Sequence, residues 1–169
     1  MNTIKPTELL CNRCAQLGKT CCQTSEVYIT LEDAKRIESL TGSKDFFEYS
    51  APINPLYAMN DDDPIWENYV FKPDGTRRVI KRNANGDCFF LSNTGCKLAI
   101  DVRPLVCRIY PYEYNAGGLY QEFSHNACPI HLLKSNETFE QMLQCFTKSK
   151  ALEWHNLLYD EILLEKTIS

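Results

Sequence analysis

Residues 11–22 read CNRCAQLGKTCC, with cysteines at Cys11, Cys14, Cys21 and Cys22. The spacing is Cys-x2-Cys, then six residues, then an adjacent pair. A Cys-x2-Cys step turns two thiolates towards one inorganic centre, and it serves zinc and iron–sulfur sites alike. Redox enzymes use the same step, so the pair alone decides little. The continuation decides: Cys88-x7-Cys96-x10-Cys107 follows, and then Cys128. Eight candidate metal ligands result: Cys11, Cys14, Cys21, Cys22, Cys88, Cys96, Cys107 and Cys128. Neighbouring side chains of an extended segment point to opposite faces. Read that way, Cys21 and Cys22 serve two centres, or two irons of one cluster. The eight then feed two four-thiolate sites, or one cluster with spare thiols. The ninth cysteine, Cys145, lies beside Phe146 and reads as a small buried hydrophobe outside the site.

The compartment decides how clustered cysteines are read. Residues 1–10, MNTIKPTELL, lack the apolar stretch of about 7–15 residues that an export signal needs. No run of about 18 apolar residues exists for a membrane span. The expectation is a cytoplasmic chain with reduced thiols, where a disulfide framework has no oxidising compartment. Hydrophobic residues make up 44% and charged residues 24% of the 169, which suits a packed core and one metal-binding domain over 1–169. The net charge is -4, and no long basic run accompanies it, which argues against nucleic acid. The nearest basic cluster, Arg77-Arg78 with Lys81-Arg82, reads as a solvated strand face.

Outward from the cysteines the expected class is α+β. It is a small, irregular, metal-stabilised fold of short antiparallel hairpins with a long C-terminal helix. Residues 1–29 read as loop-like around the cysteines, ending in a short strand, Glu26 to Ile29. A helix starts at about 31, capped by Thr30 with Asp33 reaching back, and Gly42 ends it. Asp45 to Ser50 reads as a second short helix. Asp61-Asp62-Asp63 reads as a solvated loop. Tyr69–Phe71 and Arg78–Ile80 around Pro73-Asp74-Gly75 read as a hairpin, Asn85-Gly86 as a turn, and Tyr112–Tyr114 with Leu119–Phe123 as another hairpin. The C-terminal helix is expected over about 138–164. Thr138 and Gln141 cap it, and an apolar stripe includes Phe139, Met142, Trp154, Leu157, Leu158 and Ile162. That stripe packs on its own chain or docks a protein partner.

Two arginines flank Cys107. Four thiolates on a divalent ion leave a charge of about -2, and burying it requires compensation. Arg103 and Arg108 are therefore candidate cofactor-binding residues, donating to sulfur or neutralising the site. His125 and His131 read as polar neighbours, and His155 as solvated. No acid–base pair marks an enzyme, and Glu113 and Glu122 read as surface residues.

The pattern resembles the YkgJ-type cysteine-cluster proteins, zinc- or iron-chelating domains. The resemblance is carried by Cys11-x2-Cys14, Cys21-Cys22, Cys88-Phe89-Phe90-Leu91, Gly95-Cys96-Lys97-Leu98 and Arg103-Pro104-x2-Cys107-Arg108-x-Tyr110-Pro111, over about residues 11–128. The family's first motif is tighter; here Ala15 to Thr20 lengthens it. The resemblance implies a metal or iron–sulfur centre without one fixed reaction. A relative, flagellin lysine N-methylase, carries the same cysteine domain, which suggests a link to methyl transfer, although no glycine-rich nucleotide loop is present. Three roles stay open: metal binding, cluster-dependent enzyme, and zinc or iron handling. The spread of the later cysteines and Cys128-Pro129 lean the reading to an iron–sulfur cluster over zinc.

Overall fold

A computed structural model describes residues 10–17, 21–58, 62–123, 130–142 and 147–168. Helices α1 (Leu10–Gln16), α2 (Cys21–Thr24) and α3 (Leu31–Thr41) come first, then strand β1 (Phe47–Ser50) and helix α4 (Pro64–Tyr69). Strands β2 (Arg77–Ile80), β3 (Leu91–Ser92) and β4 (Gly95–Cys96) lead to helix α5 (Leu105–Ile109). Strands β5 (Tyr112–Asn115) and β6 (Gly118–Phe123) precede helices α6 (Phe139–Met142) and α7 (Lys148–Ile168). The strands form three separate antiparallel pairs, β1-β2, β3-β4 and β5-β6. The class is α+β, as the sequence indicated.

Local chemistry explains most starts and stops. Thr30 accepts from Asp33 N–H while Asp33 reaches back to Thr30 N–H, closing a capping box. Gly42 takes φ +70 after α3, a conformation that side chains with a Cβ rarely adopt. The expected helix at Asp45–Ser50 is instead strand β1. Six residues rich in aromatics nucleate a helix poorly, and β2 offers them a ladder, with Phe47 opposite Ile80 and Ser50 opposite Arg77. The expected strand at Tyr69–Phe71 is also displaced: Asp63 caps α4 through Trp66 N–H, Pro64 opens it, and Tyr69 falls in its last turn. Asp63 is buried rather than solvated, and it also accepts from Tyr159 Oη. The expected strand at 26–29 survives as one bridge, Tyr28 to Val79, with hydrogen bonds from Ile80 to Val27 and Ile29 to Arg78.

Helix α7 presents Ala151, Trp154, Leu158, Tyr159 and Ile162 to α4, α5 and Tyr28. Leu157, expected in this stripe, is exposed, and His155, expected in solvent, is 4% exposed and bonded through Nε2 to the Asn115 carbonyl at 2.7 Å. A second cluster gathers Ile29, Ile37, Phe46, Ile80, Phe90 and Leu98. Asp33, on the helix that gives Ile37 to the second cluster, bonds Leu105 of the first, and its side chain is fully buried. Both its oxygens lie 3.2 Å from Leu105 N–H at the start of α5, and Arg36 binds it at 2.6 Å. Arg36 also grips Glu161 of α7 at 2.6 Å, and Thr30 Oγ1 donates to Glu161 at 2.5 Å. Burial raises the Asp33 carboxyl pKa and Arg36 opposes that rise. Removing one member of such a buried pair strands the others. Asp33→Ala is expected to destabilise the fold by about 3 kcal/mol, read from urea unfolding curves.

Candidate metal centre

The cysteines of 11–22 are helical rather than loop-like. Cys11 and Cys14 are three residues apart on α1, which puts both on one face. Arg13, between them, forks onto Glu137 at 2.7 and 2.8 Å and reaches the Leu132 carbonyl at 3.0 Å, fastening α1 to the segment after Ile130. Helix α1 also lies against β4. Gly95 there has φ +103, and a Cβ on it would stand 3.2 Å from Asn12 Oδ1. Cys96 therefore follows the one residue type that lets the hairpin approach so closely.

Cys21 and Cys22 open α2, so the extended geometry expected for them does not hold. Their thiols are hydrogen-bonded to each other. A helix of four residues needs outside help, and Arg82 supplies it. Its Nη1 donates to the carbonyls of Cys22, Gln23 and Gly86 at 3.3, 2.9 and 2.7 Å, and Nη2 donates to Ser25. Cys88 N–H adds a bond to the Cys22 carbonyl at 2.8 Å. The basic cluster read as a solvated strand face is thus structural at Arg82, and Arg77 is 1% exposed.

Seven thiols, from Cys11, Cys14, Cys21, Cys22, Cys88, Cys96 and Cys107, line one cavity of about 280 Å³. No disulfide joins any two of them. Cys22 is the common neighbour: its charge raises the pKa values of Cys14, Cys21, Cys88, Cys96 and Cys107. Burial is the first cause for Cys14, Cys88, Cys96 and Cys107, and pushes Cys88 up to about 11. For Cys21 the bond to Cys22 comes first. Opposing donors are in place. Phe90 N–H bonds Cys88, Leu98 N–H and the Arg103 side chain bond Cys96, and each favours the thiolate. Among the described residues, no three Cys, His, Asp or Glu side chains stand close enough to share one ion.

Of the two arginines expected near Cys107, Arg103 reaches Cys96 and donates through Nε to the Leu98 carbonyl at 2.8 Å. Arg108 turns away from the cavity. Its Nε and Nη2 donate to the carbonyls of Arg103 and Asp101 at 2.7 and 2.6 Å, so it braces the loop entering α5. Cys107 follows from that loop, since α5 begins after Pro104. His131 is exposed on a 3-10 turn. Cys128, His125 and Cys145 lie outside the described residues. Sequence reasoning missed Arg82 and Arg77. A charged run beside a strand carries no mark of burial. Alternation along β2 would have put Arg77 on the face of Val79.

An α+β chain whose short helices and turns aim seven thiols into one cavity is a cysteine-cluster protein. Residues 10–144 match the family CxxCxxCC, described as "Putative zinc- or iron-chelating domain", and the chain belongs to it. No curated protein and no solved structure matches.

Arg13 holds the Glu137 carboxyl down to about 2, against an ordinary value of 4.5. A depressed carboxylate contributes stability that is complete above the unfolded value and lost as pH falls through the folded one. Hydrogen-exchange protection of α1 should therefore fall between about pH 4.5 and 2. Glu137→Gln should show the low protection already at neutral pH.

Proposed function

We propose that the chain is a metal-binding protein in which cysteine thiolates hold an iron–sulfur cluster, drawn from Cys11, Cys14, Cys21, Cys22, Cys88, Cys96, Cys107 and Cys128. The observation that carries this is the seven thiols lining a common cavity with Cys22 as the shared neighbour of five of them. The donor set is all sulfur, which suits soft metals. The cavity of about 280 Å³ far exceeds the roughly 10–15 Å³ that one water needs. A cluster, which brings its own sulfides, would be held by thiolates that, among the described residues, do not converge on a single ion, whereas zinc would require the sulfurs to close in. The N–H donors of Phe90 and Leu98 and the Arg103 guanidinium offset the thiolate charge, as second partners of metal ligands do. When bound, a cluster supplies electron transfer and zinc a structural crosslink. The protein residues set its potential through those donors and through burial. Thiols so numerous fit a reducing, cytoplasmic compartment. The whole span 1–169 serves as one metal-binding domain.

The test is oxygen-free purification with elemental analysis and an absorption spectrum on one sample. Iron with acid-labile sulfide and a brown colour is expected. Stoichiometric zinc in a colourless protein would select the second occupant, and neither metal after reconstitution would overturn the reading. Cys22→Ser and Cys107→Ser should each lower metal content, while Cys145→Ser should leave it unchanged. Arg82→Ala should weaken metal affinity by about ten-fold, at unchanged helix content by circular dichroism.

A further inference from the structure

The thiol-lined cavity also carries aromatic and arginine side chains. Arg77, Tyr28, Tyr57, Trp66 and Tyr114 line it together with the thiols. Arg77 is 1% exposed, and among the described residues its Nε and Nη2 have no hydrogen-bond partner. These two nitrogens form one edge of the guanidinium, where two N–H groups point the same way. Its carbon lies over the rings of Tyr57 and Phe71, 5.1 and 5.7 Å from their centres. Glu26 comes no closer than 3.7 Å to Nη2, because its two oxygens accept from Ile53 and Asn54 N–H at 3.1 and 3.0 Å. A buried charged edge with an ion pair but no hydrogen bond is costly, and native interiors satisfy such donors.

We propose that the cavity binds, at Arg77 and these aromatic rings, a small monocarboxylate with a flat apolar body, its two oxygens on the Arg77 edge. Two parallel donors match a carboxylate bidentately. Trp66 packs edge-on to Tyr28 at 5.1 Å and to Tyr114 at 6.4 Å, giving walls for a planar body. Burial pushes the phenols of Tyr28 and Tyr114 up, so both stay neutral beside an anion. Glu26 already offsets the Arg77 charge, which favours one negative charge over the two of phosphate. The inference stands on Arg77 and does not require that the sulfurs hold metal.

Calorimetric titration of the protein as purified tests it, with benzoate, neutral benzamide and inorganic phosphate as probes and metal content measured on the same sample. Saturable one-to-one binding of benzoate is expected, at least ten-fold tighter than benzamide or phosphate. Arg77→Gln should abolish the preference for benzoate over benzamide at unchanged metal content, and Arg77→Lys, which keeps the charge but not the fork, should recover it only in part. Cys107→Ser should retain benzoate binding even with metal lost. If wild-type protein shows no saturable benzoate binding, water alone satisfies Arg77 and the proposal falls. It falls equally if benzoate binding follows metal content rather than Arg77, since the carboxylate would then sit on the metal. Should Arg77→Gln fail to fold, equal binding of benzoate and benzamide by wild-type protein would overturn the proposal without it.

Discussion

One buried carboxylate ties the chain together. Asp33 closes the cap of α3, receives the first N–H of α5 and shares Arg36 with Glu161 of α7. Its position is local in origin, three residues after Thr30, yet its partners lie far along the sequence. A carboxylate in an apolar interior is tolerated only with such partners. Because Leu105 is one of them, the same contact sets where α5 starts and therefore where Cys107 points. The site inherits its geometry from a polar knot whose Asp33 charge also raises the Cys107 pKa.

The sulfurs themselves impose the opposite demand. Thiolates drawn to one cavity repel one another, and each neighbour raises the cost of ionising the next. The protein answers with dipoles rather than with a full set of counter-charges. Backbone N–H groups bond Cys88 and Cys96 from two residues on, and one guanidinium bonds Cys96. Arg82 spends its donors on carbonyls, holding α2 in place. Arg82 also favours the Cys88 thiolate through its charge, and Arg103 both bonds Cys96 and braces the Leu98 carbonyl, whereas Arg108 bonds backbone carbonyls.

The two arginines of β2 and its continuation show what local reading misses. Arg77 and Arg82 stand in a run that resembles any solvated strand face. Nothing within that run shows that Tyr57 and Phe71 cover one and that the carbonyl end of α2 meets the other. The same holds for His155 and Asp63, polar residues whose partners are remote in sequence. Strand β1 departs from the helix expected at Asp45–Ser50 for a related reason. Its aromatics suit either state, and only the presence of β2 alongside selects the ladder.

The cysteine spacing by itself was enough to point to the family: cysteines in short-range pairs, repeated, mark a zinc- or iron-chelating domain. Capping residues at Thr30, Asp33 and Gly42 and the turn at Asn115–Gly118 were equally legible, because they act over three or four residues. Tertiary structure alone decided which arginine meets sulfur, which braces backbone and which faces the cavity. Those choices depend on contacts between residues tens of positions apart, and a side chain's charge does not encode which distant group will bury it.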